Sequence, residues 1–253
     1  LLSDFRSEAS MSNLERVYHH FNREAGHYDT IAPKVIPHFH EQNALMVALV
    51  PFEREAPLSA LDLGCGTGVL AQAVLAAFPK ASVACFDMAE NMLAACGAKL
   101  AACEGRFSLR QGNFATDDFG SGYDLIVSGL SIHHLDDAAK RALYRRVFDA
   151  LKPGGAFLNR DVVLGATPEL TERYAALWRA FMRSNGEDDE VWYGNAYRED
   201  IPATAEDQLA WLAEAGFTEV ACHWRHLNFA IFGGRSSCPS SSRCRGHGGL
   251  AIL

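Results

Sequence analysis

Apolar positions along this chain fall into two alternating kinds of segment. Ala60–Leu63, Ser82–Phe86 and Tyr123–Val127 are short, nearly continuous apolar runs, the pattern of strands buried on both faces. Between them, Val69–Phe78, Glu90–Cys96 and Asp136–Ala150 carry apolar residues at helical spacing. Strand and helix in alternation predict a parallel sheet with helices on both faces. Further along, Phe107–Gln111 reads as a third strand with its exit turn at Gly112–Phe114, and Leu151–Asp161 as a turn followed by a fifth strand. Thr167-Pro168-Glu169 opens a helix with a capping Thr and a first-turn Pro, running to about Ser184. Asn185–Gly194 reads as a long loop of the kind used for lids. Thr204–Gly216 is the last helix, and Phe217–Gly234 supplies two strands. Ahead of the sheet, Leu14, Val17, Tyr18, Phe21 and Ala25 predict a helix over Asn13–Gly26, and a second is expected over Pro37–Val50.

The expected fold is therefore α/β: a doubly wound, seven-stranded, mostly parallel sheet with an antiparallel C-terminal hairpin, an N-terminal helical segment and a helical insertion as cap. Its expected divisions are a disordered leader at 1–12, the helical segment at 13–57, the sheet domain at 58–234 with the cap at 165–203, and a disordered Ser- and Gly-rich tail at 235–253.

Composition narrows the class. At 253 residues and 49% hydrophobic content the chain can bury a substantial core. No apolar run reaches the ~18 residues of a membrane span, and the first residues lack a basic-then-apolar signal pattern, so a cytoplasmic location is expected. Seven cysteines without a C-x-x-C pair suit reduced, buried thiols, and no metal is expected. A net charge of −8 disfavours a nucleic-acid partner. Arg141, Arg145 and Arg146 then read as a solvated helix face.

The stretch Ala60-Leu-Asp-Leu-Gly-Cys-Gly-Thr-Gly68 changes the picture most. Gly64, Gly66 and Gly68 permit positive φ and keep Cβ atoms away from a ligand at a helix N-terminus. A dinucleotide fingerprint would need Gly or Ala at position 69, where Val69 stands, so the spacing is G-x-G-x-G. Asp87 follows about twenty residues on, where an acid accepts hydrogen bonds from ribose hydroxyls. This stretch resembles motif I of the class I S-adenosylmethionine-dependent methyltransferases. Leu151-Lys-Pro-Gly-Gly155 is a second landmark of that superfamily, and Ser128-Gly-Leu-Ser-Ile-His-His-Leu135 is similar to members distantly related to the tRNA carboxymethyluridine synthase and to ubiquinone/menaquinone C-methyltransferases. The resemblance covers residues 58–233.

It implies S-adenosylmethionine as cofactor, S-adenosylhomocysteine as product and a small-molecule methyl acceptor. It also implies cofactor contacts from Asp62, Gly64, Cys65, Gly66 and Gly68, from Asp87, and from Met88 as an apolar wall, unless Met88 is ordinary core. Asn113, beside Phe114, stands where many relatives have an Asp that accepts from the adenine amino group; its other reading is a turn residue. Tyr28 either approaches the methyl donor, with the N-terminal segment closing over it, or packs within a helical hairpin. Two further functions stay open: a non-catalytic protein that binds S-adenosylmethionine or S-adenosylhomocysteine, and a tRNA-modifying enzyme.

Ser128 to His134 should face the crevice at the carboxyl ends of the strands, which makes His133 and His134 the acid/base candidates, unless one packs or caps the next helix. A metal at this pair is disfavoured because adjacent side chains diverge and no carboxylate or thiol lies at ligand spacing. Arg160 and Asp161, at the end of the fifth strand, either contact substrate or pair with neighbours. Trp178, Phe181, Trp192, Tyr193 and Tyr197 form an acceptor pocket, a hydrophobic cap or the interface of a homodimer.

Overall fold

The computed structural model describes residues 11–237. Seven strands form one sheet: β1 (Ser59–Leu63), β2 (Ser82–Asp87), β3 (Phe107–Gln111), β4 (Tyr123–Gly129), β5 (Leu151–Val162), β6 (Thr218–His226) and β7 (Phe229–Arg235). Their spatial order is β3-β2-β1-β4-β5-β7-β6, with β7 antiparallel to both neighbours and the remaining pairs parallel. The order reverses between β1 and β4, which opens a crevice at the carboxyl ends of these strands.

Helices α4 (Val69–Ala77), α5 (Glu90–Leu100) and α6 (Asp137–Ala150) make the parallel crossovers, and α9 (Ala205–Ala215) precedes the terminal hairpin. The sheet separates two apolar layers. One joins Leu61, Leu63, Ile126 and Phe157 to Leu143, Tyr144, Val147 and Trp211; the other joins Ala60, Val83, Leu125 and Val127 to Leu70, Val74, Leu93 and Met46. Alternate residues of each central strand thus feed opposite layers, which is why those strands read as unbroken apolar runs.

Four local differences from the sequence reading have identifiable causes. The N-terminal segment holds three helices rather than two: α1 (Asn13–Glu24), α2 (Tyr28–Val35) and α3 (Phe39–Ala48). Pro33 lies inside α2 and argues locally against a helix, yet Ala32 and Val35 are buried in a cluster with Phe39, Met182 and Phe229, and that burial overrides propensity. The expected loop over 185–194 contains the start of α8 (Asp189–Glu199), which follows α7 (Pro168–Ser184). Asp188 caps α8 by accepting from the Glu190 and Val191 N–H groups. Leu151-Lys-Pro-Gly-Gly155 is no separate turn but the first part of β5; its pairing shifts register between Tyr123 and Leu125, so the extra residues form a bulge. Finally, Ser12 and Arg235 belong to ordered elements. Ser12 and Glu15 make a reciprocal capping box on α1, and Arg235 ends β7. Of the expected leader and tail, residues 1–10 and 238–253 lie outside the described residues.

Gly68 joins the ligand-side loop to the layer beneath it. It caps α4 at φ 80°, and an added Cβ would lie 2.5 Å from Cys96 Sγ. Gly68→Ala should therefore lower unfolding free energy by about 2–3 kcal/mol, from left-handed strain and overpacking together. In the double variant Gly68→Ala/Cys96→Ala only the clash is relieved, so chemical denaturation should show partial recovery.

Candidate active site

The crevice is built by loops that two carboxylates hold in place. Asp62, buried at the end of β1, accepts the Ala71 N–H at 2.9 Å and anchors the first turn of α4. Asp87, at the end of β2, accepts Gly66 N–H and Ala89 N–H, each at 2.8 Å, and so holds the glycine loop against the next turn. Burial raises the pKa of both acids; Asp62 reaches about 8, whereas the Ala89 and Gly66 N–H groups partly offset the rise at Asp87. Gly66 has φ 52° and open space where a Cβ would stand, so the loop presents bare backbone to the pocket. An added Cβ at Gly64 would lie 1.9 Å from Ser131 Oγ, so Gly64 allows the β4 exit to approach the loop.

Most residues singled out in the sequence line this first cavity: Tyr28, Asp62, Gly64, Cys65, Gly66, Asp87, Met88, Asn113, Phe114 and His134, together with Arg160. Two do not. Ser128 is fully buried and donates to the Leu63 carbonyl at 2.8 Å, tying β4 to β1 behind the wall. Gly68 faces Cys96 instead. Asn113 is on the wall, but its Oδ1 accepts the Ala115 N–H at 2.9 Å, and Asp117 Oδ2 accepts its own N–H, so its side chain shapes the turn.

A second cavity adjoins the first across shared walls of Phe21, Tyr28, Leu130 and His134. Its sides come from α1, α2, α7 and α8, including Trp178 and Trp192, with His133, Glu199 and Asp200 at one end. Of the other cap aromatics, Phe181 and Tyr193 pack behind the wall. Tyr197 falls in α8, but its side chain is not among those described. Trp178 Nε1 donates to the Val35 carbonyl at 2.6 Å, and Asn13 Nδ2 donates to the carbonyls of His134 and Glu199 at 3.0 and 2.8 Å. The N-terminal segment is thereby fixed over both cavities.

The two histidines differ in state. His133 lies between two carboxylates, with Nδ1 bonded to Asp161 and Nε2 3.4 Å from Asp200 Oδ1. Burial opposes its charge, but Asp200 and Asp161 outweigh that and push its pKa up to about 10; the imidazolium in turn helps hold Asp200 below the usual carboxylate range despite burial. A side chain already protonated at neutral pH cannot serve as a base, and His133 lines only the second cavity. His134 Nδ1 faces only acceptors, the Glu199 carbonyl at 3.2 Å and Asp200 Oδ1 at 3.3 Å. A neutral ring here must carry its hydrogen on Nδ1, with the lone pair on Nε2; among the described residues Nε2 is buried and has no hydrogen-bond partner.

The sequence argument against carboxylate neighbours for this pair is corrected by the tertiary structure. The rings sit 4.1 Å apart, and Asp161 and Asp200 arrive from β5 and from beyond α8. Asp200 was not singled out, because nothing in its local pattern marks it. Its approach depends on the Ile201 N–H donating to the His133 carbonyl at 2.7 Å. Likewise Cys65, Cys85 and Cys96, scattered in sequence, converge beneath the glycine loop as free thiols, with sulfurs within 4.8 Å of one another.

Comparisons with known proteins agree with this geometry. A family described as "Methyltransferase domain" matches residues 60–155. The carboxy-S-adenosyl-L-methionine synthase of Wolinella succinogenes is 25% identical over 90% of this chain and 97% of its own length. The malonyl-[acyl-carrier protein] O-methyltransferase of Priestia megaterium is 29% identical over 65% of this chain and 58% of its own. Human N-acetylserotonin methyltransferase, solved with S-adenosylmethionine, superposes with a TM-score of 0.57 at 19% identity, covering 89% of this chain and 57% of that one. The chain spans less than two thirds of these last two proteins. Residues 60–155 thus match a methyltransferase domain, and in sequence and fold the chain is similar to the class I S-adenosylmethionine-dependent methyltransferases.

The state of His133 fixes a pH dependence. Its folded pKa of about 10 exceeds the ordinary unfolded value near 6.5, so its contribution to stability is complete below about pH 6.5 and lost as pH rises toward 10. Melting temperatures of the wild type should fall across that window. His133→Gln should lose about 3 kcal/mol at pH 6.5, where two buried carboxylates lose their cation, and should show a shallower decline above it.

Proposed function

We propose that the protein transfers a methyl group from S-adenosylmethionine, held in the first cavity, to a small-molecule acceptor seated in the second. The observation that carries this reading is the position of His134: its unpartnered Nε2 belongs to a residue on the wall common to both cavities. The residues of the first cavity fit the donor. Gly66 offers open space and uncovered backbone, and Asp87 stands at the second strand end with its carboxylate on the cavity wall.

When bound, the donor supplies an activated methyl group on a sulfonium. The chain's own residues do the rest. Asp87 and Asp62 keep the loop geometry fixed before ligand arrives, so little reorganisation is needed on binding. Helices α1, α2, α7 and α8 cover the acceptor space, and Trp178, Trp192 and Phe229 give it apolar walls that exclude water. His134 Nε2 accepts the proton released by the acceptor, while the Asp200 carboxylate and Glu199 carbonyl at Nδ1 stabilise the resulting imidazolium. His133, already charged, orients Asp200 for that task and is a positioning residue.

A net charge of −8 and the apolar, aromatic lining of the second cavity favour a small acceptor over RNA. No described helix is long and apolar enough to cross a membrane. A purely cofactor-binding role would leave the second cavity and the free His134 nitrogen without use.

Incubation with S-adenosylmethionine and a metabolite extract should release S-adenosylhomocysteine; none released across extracts that support a control methyltransferase would favour the binding-only role. His134→Ala should keep S-adenosylhomocysteine affinity and lose roughly 10²–10⁴-fold in turnover. Asp87→Ala should instead weaken S-adenosylhomocysteine binding by about 1–3 kcal/mol in calorimetry, since it unpairs ribose hydroxyls and frees the Gly66 loop.

A further inference from the structure

Arg160 is an anomaly among the arginines of this chain. Arg146 and Arg110 illustrate the structural kind: Arg146 donates to the carbonyls of Phe114, Ala115 and Asp117, and Arg110 to those of Phe119 and Asp118. Their forks are filled by backbone oxygens. Arg160 is 3% exposed, yet among the described residues its only hydrogen-bond acceptor is Asn43 Oδ1, 2.7 Å from Nη1, and its Nε is buried without a partner; the Phe39 ring lies against the guanidinium with its centroid 5.2 Å from Cζ. Among the described residues no carboxylate forms an ion pair with it, and Asp161, the next residue in β5, points to the opposite face and is committed to His133.

A desolvated cation with an open donor is costly for the empty protein, and natural chains keep such groups where a ligand supplies the counter-charge. The position fits that role. Arg160 is on the wall of the first cavity together with Gly64, Gly66 and Tyr28, and its Nη2 is close enough to Gly129 that an added Cβ there would lie 3.2 Å away. Asn43 fixes the orientation of the fork. Phe39, Val69 and Leu70 line the wall on one side, and the buried Asp62 of the same cavity lies within electrostatic reach of the guanidinium, so the site suits one planar, singly charged group better than the larger negative charge of a phosphate.

We propose that Arg160 is the receptor for a carboxylate in the first cavity, supplied either by the amino-acid end of the methyl donor or by the acceptor. This inference rests on the cofactor reading above. It assigns a ligand contact to a residue at the end of β5, beyond the glycine loop and the second-strand acid.

Calorimetry on the whole chain separates the sources. The probes are S-adenosylhomocysteine and 5′-methylthioadenosine, which lacks the amino-acid end; the variants are Arg160→Met and Arg160→Lys. If the donor's carboxylate is the ligand, Arg160→Met should weaken S-adenosylhomocysteine binding on the order of 10–100-fold and leave methylthioadenosine binding unchanged, with Arg160→Lys intermediate. Unchanged methylthioadenosine binding also shows that the pocket is folded. Should Arg160→Met lose methylthioadenosine binding, Arg160→Lys supplies the comparison.

If the acceptor's carboxylate is the ligand, both nucleosides bind the variants normally. Benzoate titrated into the protein saturated with S-adenosylhomocysteine should then bind the wild type on the order of 10–100-fold more tightly than Arg160→Met, and benzamide should not distinguish them. Nucleoside affinities unchanged in the variants, with benzoate binding both proteins alike or neither, would overturn the proposal. A wild type that binds neither nucleoside overturns the cofactor reading, and this proposal with it.

Discussion

The hydrogen bond from the Gly66 N–H to the Asp87 carboxylate is the contact on which the rest of the site depends. A glycine loop with bare backbone would otherwise be free to sample many conformations, and its ordering would have to be supplied by ligand binding. Asp87 removes that cost in advance, with its second oxygen taken by Ala89, and Asp62 does the same for the start of α4. Both acids are buried, and both are held with raised pKa values. Stability is given up there for a cavity that is already shaped.

The same logic extends to the other end of the crevice. Two imidazoles and two carboxylates meet in one buried cluster, and the arrangement sorts the histidines into different states: one clamped between carboxylates and charged, one with acceptors on a single nitrogen and its other nitrogen free. Adjacent residues of identical type thus acquire different chemistry from what opposes each ring. Arg160 completes the pattern on the first cavity's wall, a buried cation that makes no direct ion pair among the described residues.

The N-terminal helices and the α7–α8 cap convert an open α/β crevice into two connected cavities. Among the polar links that fix them are Asn13 to the carbonyls of His134 and Glu199, Trp178 to Val35, and the buried bond between Asn43 and Arg160. Each ties a covering element to another covering element or to the carboxyl end of a strand. Position of cover and position of site are therefore coupled.

Sequence alone determined the parts whose physics is local. Strand-length apolar runs, helical periods and the Ala60–Gly68 turn specify the alternating architecture, the edge hairpin and the cofactor crevice, because burial on both faces and positive φ each leave a mark within a few residues. Tertiary structure decided the rest. Helix α2 forms around Pro33 because its apolar face is covered by Phe39, Met182 and Phe229, and α8 forms where the chain read as loop. The different surroundings of His133 and His134 come from Asp161 and Asp200, which reach them from distant parts of the chain. Ser128 and Gly68 carried site-like signatures but were turned into the interior to brace Leu63 and to admit Cys96. Protonation state, partner and direction depend on what lies across a packed interface, and a spacing along the chain holds no record of that.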